Sequence, residues 1–260
     1  MINYMNQIGK NAKKAFSNNI NTKKKNKVLK KYVVLIKNQK TLIIKENLKD
    51  IKFANKNKIK NNLIDRLILD TKKLDLIIRS IEKIIILKDP ANIVLEKWKR
   101  PNGLLIKKVS IPMGVIGVIY ESRPNVTSDI ASLCFKSGNV VILKGGSEAI
   151  NTNKILVKLF RKALRLNNVD ENFVQFIDSK NRKLVNYMLS KMNSYINIII
   201  PRGGKSLIKK VQNFSSVPII GHLEGICHTY VDKEADLNMA INIIYNAKMR
   251  NTSICGATET

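Results

Sequence analysis

The sequence predicts an α/β protein, a doubly wound parallel sheet preceded by helices. Three observations carry that prediction. After Pro124, apolar runs of strand length alternate with stretches of helical periodicity. Two of the strand-to-helix turns carry paired glycines, at Gly145-Gly146 and Gly203-Gly204. Before Pro101, apolar residues recur mainly at helical spacing. Strands separated by helices pair in parallel through right-handed crossovers, which gives the doubly wound order.

The elements follow in chain order. Residues 1–60 alternate Lys/Asn stretches with short apolar runs such as Val33-Val34-Leu35-Ile36, and predict helices. From Leu63 the apolar positions keep helical spacing until Asp89-Pro90 breaks the pattern, which predicts one continuous helix. Pro101-Asn102-Gly103 is a turn, followed by a half-alternating segment Leu104–Val109 and the apolar run Val115–Tyr120. Helices are then expected over Thr127–Lys136, Ser147–Leu166, Arg182–Lys191, after Gly204 and over Ala235–Ala247. Strands are expected at Val140–Lys144, Phe173–Ile177, Ile196–Ile200, Val217–Ile220 and near Thr229–Val231. There is no internal repeat and no long flexible linker. The expected domains are an N-terminal helical segment (1–100), a cofactor-binding α/β domain (101–220) and the start of a further domain (221–260).

Composition narrows the function classes. The 260 residues include 47 Lys+Arg and 19 Asp+Glu, a net charge of +28, with 26 basic and 8 acidic residues among the first 100. Such a field promotes nonspecific nucleic-acid binding at low salt. No aromatic platform or recognition motif accompanies it, so specific nucleic-acid binding is not expected. Lys, Asn and Ile share A- and T-rich codons, and coding drift alone accounts for much of the excess. Cys134, Cys227 and Cys255 are too few and too dispersed for a disulfide framework, which fits a reducing cytoplasm. No run approaches the roughly 18 apolar residues of a membrane helix, and the N-terminus carries no signal-peptide stretch.

Three places carry chemistry. Lys144-Gly145-Gly146-Ser147 and Pro201-Arg202-Gly203-Gly204-Lys205-Ser206 each join a strand to a helix. Glycines there permit close backbone approach, and a helix start offers N–H groups to a phosphate, with Lys144 adding a cation. Either turn alone also reads as an ordinary helix entry; at one end of a parallel sheet, together, they favour a nucleotide. Cys255 lies in a polar, glycine-flanked loop that suits an accessible thiolate, whereas Cys134 sits among apolar neighbours and reads as inert. Cys227 beside His228 is ambiguous. Cys227, His228, His222 and Cys255 lack the paired spacing of a structural zinc site, so no metal is expected.

The run Ile111-Pro112-Met113-Gly114-Val115-Ile116-Gly117-Val118-Ile119-Tyr120-Glu121-Ser122-Arg123-Pro124-Asn125-Val126-Thr127 closely resembles the gamma-glutamyl phosphate reductases (glutamate-5-semialdehyde dehydrogenases) of the aldehyde dehydrogenase superfamily. Further matches follow in order: Trp98–Gly103, Val141–Ala149, Ile199–Gly204, His222–His228, and Asn246-Ala247-Lys248 leading to Cys255. The resemblance spans about residues 45–260. It implies an aldehyde-dehydrogenase-like fold and NADPH-dependent reduction of gamma-glutamyl phosphate to glutamate 5-semialdehyde, with phosphate released, in proline biosynthesis. By motif position, Cys255 is similar to the family nucleophile, forming a thioester that accepts hydride from the nicotinamide. Asn125 is similar to the family's oxyanion-stabilising asparagine, and is otherwise a turn residue after proline. Lys144, Gly146 and Ser147 resemble the adenosine-ribose and phosphate contacts, a lysine suiting the extra phosphate of NADP, and Gly203 and Gly204 resemble the second cofactor turn. Arg123 and Arg202 would hold substrate phosphate or carboxylate, or else form structural ion pairs. Glu224 is left out of the catalytic set, because this family's acyl acceptor is phosphate rather than water.

Family members continue through a C-terminal part that completes the catalytic domain and contributes to oligomerisation; here the chain ends five residues beyond Cys255. An incomplete catalytic domain over 221–260 is therefore expected, with exposed apolar surface and a poorly supported nucleophile. Three readings stay open. The chain is a working reductase, as a homo-oligomer or completed by a second chain carrying the C-terminal part. It is a relic that binds NADP, or glutamate 5-kinase as a pathway partner, without turnover. Or it is a basic nucleic-acid binder.

Overall fold

The structure is a computed structural model that describes all residues except 1, 122, 222–224, 251 and 253–255; for Asn62 only the backbone is described. Two compact units are present, Met1–Ile220 and Gly221–Thr260.

The first unit opens with three helices, α1 (Ile2–Phe16), α2 (Thr22–Asn38) and α3 (Lys40–Lys56). In α1 the apolar Met5, Ile8, Ala12 and Ala15 recur three or four residues apart and are all buried. Asn21 starts α2 by accepting from the Lys24 N–H at 2.9 Å. The single helix expected from Leu63 is instead two, α4 (Asn61–Leu67) and α5 (Thr71–Ile86). Asp70 accepts from the Lys73 N–H at 2.7 Å and so begins a new helix; the apolar period runs on across the break and conceals it. The buried Asn47 side chain holds the intervening link, donating to the Leu67 carbonyl and accepting from the Leu69 N–H.

β1 (Val94–Lys99) and β2 (Leu105–Val109) form an antiparallel hairpin around the expected turn. β1 was not foreseen, since Val94-Leu95-Glu96-Lys97-Trp98-Lys99 shows no clean alternation and its residues are all exposed.

The main sheet has four parallel strands: β3 (Val115–Tyr120), β4 (Val140–Gly145), β5 (Val174–Phe176) and β6 (Ile198–Arg202), in the order β5-β4-β3-β6. All residues of β3 and β4 are buried, which explains their unbroken apolar runs. Ahead of β3, Gly114 has φ +120°, and a side chain there would meet Asn197 at 2.2 Å, so only glycine lets β3 begin beside β6. The crossovers use α6 (Pro124–Lys136), α7 (Ile150–Arg165) and α8 (Lys183–Lys191), and α9 (Lys205–Phe214) follows β6. Stepping from β3 to β4 to β5 and then back to β6 by right-handed crossovers puts α6 and α7 on one face and α8 on the other. α1 packs beside α8 on that second face, against β3, β4 and β5, while α2, α3 and α5 cover the α6–α7 layer. The predicted doubly wound parallel sheet is thus the observed fold. Tyr32, Phe160, Phe135 and Phe173 form a chain of tilted and edge-to-face ring contacts within the core.

The strand expected at Val217–Ile220 is reduced to an isolated bridge between Ile199 and Ile219. Pro218 within this stretch has no N–H to give a ladder, and just before it the Ser215 hydroxyl donates to the Val217 carbonyl.

In the second unit, α10 (Leu237–Met249) starts at Asp236, whose carboxylate accepts from the Met239 N–H at 2.7 Å. The strand expected near Thr229–Val231 is absent among the described residues; an isolated bridge joins Cys227 and Thr258, and the Thr229 N–H donates to the Thr260 carbonyl. No residue of α10 is buried, and Leu237, Met239, Ile241, Ile243, Tyr245 and Met249 are all largely exposed.

Candidate functional site

The strand register assembles the site. Tyr120, the last residue of β3, lies between Gly145 of β4 and Arg202 of β6. Both glycine turns therefore flank the end of one strand, where the sheet order reverses. In open parallel sheets this is the position at which ligands bind.

A cleft of about 520 Å³ opens there. Its walls include Tyr120 at the end of β3 and Glu121 just after it, residues Lys144–Glu148, and Lys180, Arg182 and Lys210. Behind the first turn the Tyr120 hydroxyl meets Thr127 Oγ1 at 2.7 Å, and Thr127 donates to Asn153 Oδ1 at 2.8 Å. Thr127 has one proton and gives it to Asn153, so Tyr120 is the donor to Thr127. Burial drives the Tyr120 phenol well above its ordinary pKa and keeps it a donor. A side chain at Gly145 would come within 2.3 Å of Asn153 Nδ2 and 3.2 Å of the Tyr120 ring, so this buried network presses against bare backbone.

Some N–H groups near the two helix starts are already engaged by carboxylates of the chain itself. After Gly146, Ser147–Ala149 forms one 3₁₀ turn before α7 begins. The α7 N–H groups of Asn151 and Thr152 already donate to the buried Asp50 carboxylate from α3, at 3.1 and 2.8 Å. At the other turn the Gly204 N–H, which opens α9, donates to Glu121 Oε2 at 2.9 Å. Each helix start attracts an anion, and the chain supplies its own. Asp50 and Glu121 are distant in sequence from the turns they serve, so no local signal announced them.

Lys144 lines the cleft, but its ammonium is buried and donates to the Gly145 carbonyl at 2.8 Å. Burial lowers its pKa, opposed by the Glu148 carboxylate, which favours the charged form. Gly146 and Ser147 also line this cleft. Gly203 and Gly204 sit against Glu121, and their neighbours Ser206 and Leu207 form part of the wall. Lys180, Arg182 and Lys210 are cleft cations that the sequence did not single out, since each lies in an unremarkable Lys-rich stretch.

A second cleft of about 420 Å³ lies beyond the same strand end, lined by Arg123 and Asn125 together with Arg66, Lys73, Ser80 and Asp129. Asn125 stands in the first turn of α6, with Pro124 at the helix start where its missing N–H costs nothing. Asn125 Nδ2 donates to Asp129 Oδ2 at 3.2 Å. Arg202 is exposed at the end of β6 and lines neither cleft; its carbonyl accepts from the Glu121 N–H at 3.2 Å. The structure thus brings Lys144, Gly146 and Ser147 to one cleft and Arg123 and Asn125 to the other. Cys255 lies outside the described residues, as do His222 and Glu224. Cys134 is buried, and burial pushes its thiol up to about 12, consistent with an inert core residue. Among the described residues no group of three or more His, Cys, Asp or Glu side chains is placed to hold a metal ion. No helix among them is long and apolar enough to cross a membrane.

A parallel sheet that reverses order between two glycine turns defines a doubly wound α/β fold of the nucleotide-binding kind. The family model described as "Aldehyde dehydrogenase family" matches residues 3–259, and the chain belongs to that family. Over 258 residues it is 44% identical to the gamma-glutamyl phosphate reductase of Sulfurihydrogenibium sp. (strain YO3AOP1), covering 98% of this chain and 58% of that protein. The enzyme of the same name from Persephonella marina is 40% identical over the same number of residues. The crystal structure of gamma-glutamyl phosphate reductase from Thermotoga maritima superposes with a TM-score of 0.90 at 39% identity, over 97% of this chain and 61% of that one. The chain therefore spans somewhat more than half the length of these relatives.

Proposed function

We propose that this chain carries the cofactor half and part of the catalytic half of an NADPH-dependent reductase that converts gamma-glutamyl phosphate to glutamate 5-semialdehyde with release of phosphate, a step of proline biosynthesis in the cytoplasm. The observation that carries the reading is a pair of clefts, one cationic at the end of β3 beside a bare glycine turn, the other at the start of α6 holding Asn125. The residues fit a dinucleotide. Gly145 and Gly146 sit where a β-carbon would strike Asn153 and Glu148, which keeps the turn's backbone bare at the cleft, and Lys144, Lys180, Arg182 and Lys210 outnumber Glu121 and Glu148 around it. With Asn151, Thr152 and Gly204 N–H groups already bound to Asp50 and Glu121, these cations are proposed to meet its phosphates, with Gly203 and Gly204 fixing the turn opposite. A nicotinamide cofactor, when bound, supplies the hydride.

The other assignments concern this chain's own groups. Cys255 is the proposed nucleophile: its thiolate attacks the acyl carbon, phosphate departs, and the acyl group is held as a thioester. Asn125 donates from its amide to the oxyanion formed in that attack. Arg123, at the Asn125 cleft, and Arg202, at the end of β6, are proposed to hold the substrate's anionic groups. The exposed apolar side chains of α10 favour a second clause: turnover requires further polypeptide to cover them, supplied by a complementary chain or within a homo-oligomer, and the chain alone binds NADP without it. A docked glutamate 5-kinase is another proposed partner.

Phosphate-dependent reduction of NADP by glutamate 5-semialdehyde, measured on the 260-residue chain and on Cys255→Ser, tests this. Turnover that survives the serine substitution would remove Cys255 from its role. Failure of the chain to bind NADP at all would sink the cofactor reading.

A further inference from the structure

We infer that Asp129 is a positioning residue, holding the Asn125 carboxamide in the orientation in which it meets the reacting oxygen. The inference rests on the role proposed above for Asn125. Asn125 is exposed at the start of α6, and an exposed carboxamide left to itself samples several rotamers, whereas oxyanion stabilisation depends on donors fixed beforehand.

The structure supplies the restraint. Asn125 and Asp129 are four residues apart on α6, so their side chains share a face, and both line the smaller cleft. Asn125 Nδ2 donates to Asp129 Oδ2 at 3.2 Å, which engages one of the two amide protons and leaves the other for a ligand. Asp129 is in turn held by the neighbouring helix: α5 packs on α6, and the Ser80 hydroxyl faces the carboxylate.

Asp129 is also an expensive choice for mere structure. Its Oδ1 is buried with no hydrogen-bond partner, and burial raises its pKa despite Ser80 and Asn125. A carboxylate kept partly out of water with one oxygen unserved weakens the fold, and departures of this kind concentrate at functional sites. Arg66 and Arg123 line the same cleft, where an anionic substrate head would lie between them and the carboxylate-anchored amide.

The test combines spectroscopy on the 260-residue chain with kinetics. In an asparagine-selective ¹⁵N spectrum the Asn125 side-chain amide pair is identified by its loss in Asn125→Ala. That pair is expected to shift in Asp129→Ala while most backbone amides stay in place. In Asp129→Asn, the variant kindest to folding, a carbonyl acceptor remains and the pair moves less. An Asn125 pair at its wild-type position in both Asp129 variants would overturn the inference, whether or not the chain turns over. In the phosphate-dependent assay, run with α10 covered in a homo-oligomer or by an added complementary chain, Asp129→Ala should lower kcat roughly tenfold with KM little changed, and the Asp129→Ala/Asn125→Ala double variant should be no slower than Asn125→Ala. Additive losses would mean that Asp129 acts independently of Asn125, against the inference. Wild-type turnover by Asn125→Ala would instead remove the oxyanion role, and the spectrum would still decide whether Asp129 holds the amide.

Discussion

Gly145→Ala probes how closely the buried network presses on the first turn. A β-carbon there would lie 2.3 Å from Asn153 Nδ2, where ordinary contact begins near 3.4 Å, so a shift of about 1.1 Å is demanded. Asn153 cannot give cheaply, because it is fully buried and its Oδ1 accepts from Thr127, which in turn holds Tyr120. The Tyr120 ring, 3.2 Å from the same point, blocks the other direction. Overpacking of this kind costs about 1–3 kcal/mol. For a chain of this size each kcal/mol moves the melting temperature by roughly 2–4 °C, so a central cost of about 2 kcal/mol predicts a fall of about 4–8 °C. Thermal unfolding followed by circular dichroism measures this, and NADP titration calorimetry on the same samples is expected to show affinity reduced about fivefold or more as the turn is pushed into the cleft. Gly204→Ala is the control. Its β-carbon would meet only Glu121 Oε2, at 3.9 Å, and its loss should stay below about 1 kcal/mol. If Gly145→Ala melts with the wild type and binds NADP equally well, the turn has slack that this reasoning denies.

Other substitutions read out the supports of the fold and site. Lys25→Met breaks a buried pair in which Lys25 Nζ meets Asp89 Oδ2 at 2.8 Å, and should cost about 2 kcal/mol in urea unfolding near neutral pH. Burial alone would raise Asp89, but Lys25, the Ala91 N–H and Thr22 outweigh it and hold the carboxyl below its ordinary 3.8. A depressed acid stabilises above its unfolded pKa and loses that contribution as pH falls through the folded value, so the gap between wild type and Lys25→Met should narrow in acid; a gap independent of pH would contradict the pairing. Glu121→Ala removes the acceptor of the Gly204 N–H and should weaken α9 by roughly 0.5–1 kcal/mol, seen as faster hydrogen exchange of its first amides. Unchanged exchange would show that the carboxylate does not cap the helix. Iodoacetamide at mildly alkaline pH should leave Cys134 unmodified in the native chain and label it after denaturation; native labelling of Cys134 at a rate like that of a free thiol would refute its burial.

The sequence by itself determined the fold class, a doubly wound parallel sheet preceded by helices, while the strand order came from the structure. β3 and β4 are buried on both faces and therefore read as unbroken apolar runs, and the motifs from Ile111 to Thr127 and around Lys144 were sufficient to place the chain in its family. It also located the two glycine turns and Asn125, because glycine and proline mark their own positions. The break at Asp70 and the hairpin strand β1 were not legible. An apolar period can run through two helices as well as one, and a strand exposed on both faces has no pattern to show. Only the tertiary structure decided that Tyr120 stands between the two turns, that Asp50 and Glu121 accept N–H groups near the two helix starts, and that Asp129 accepts from Asn125 beside α5. Those decisions belong to side chains that meet across packed layers, some of them about a hundred residues apart. Local propensity records nothing of such meetings, because their energy arises only after the layers have closed and excluded water.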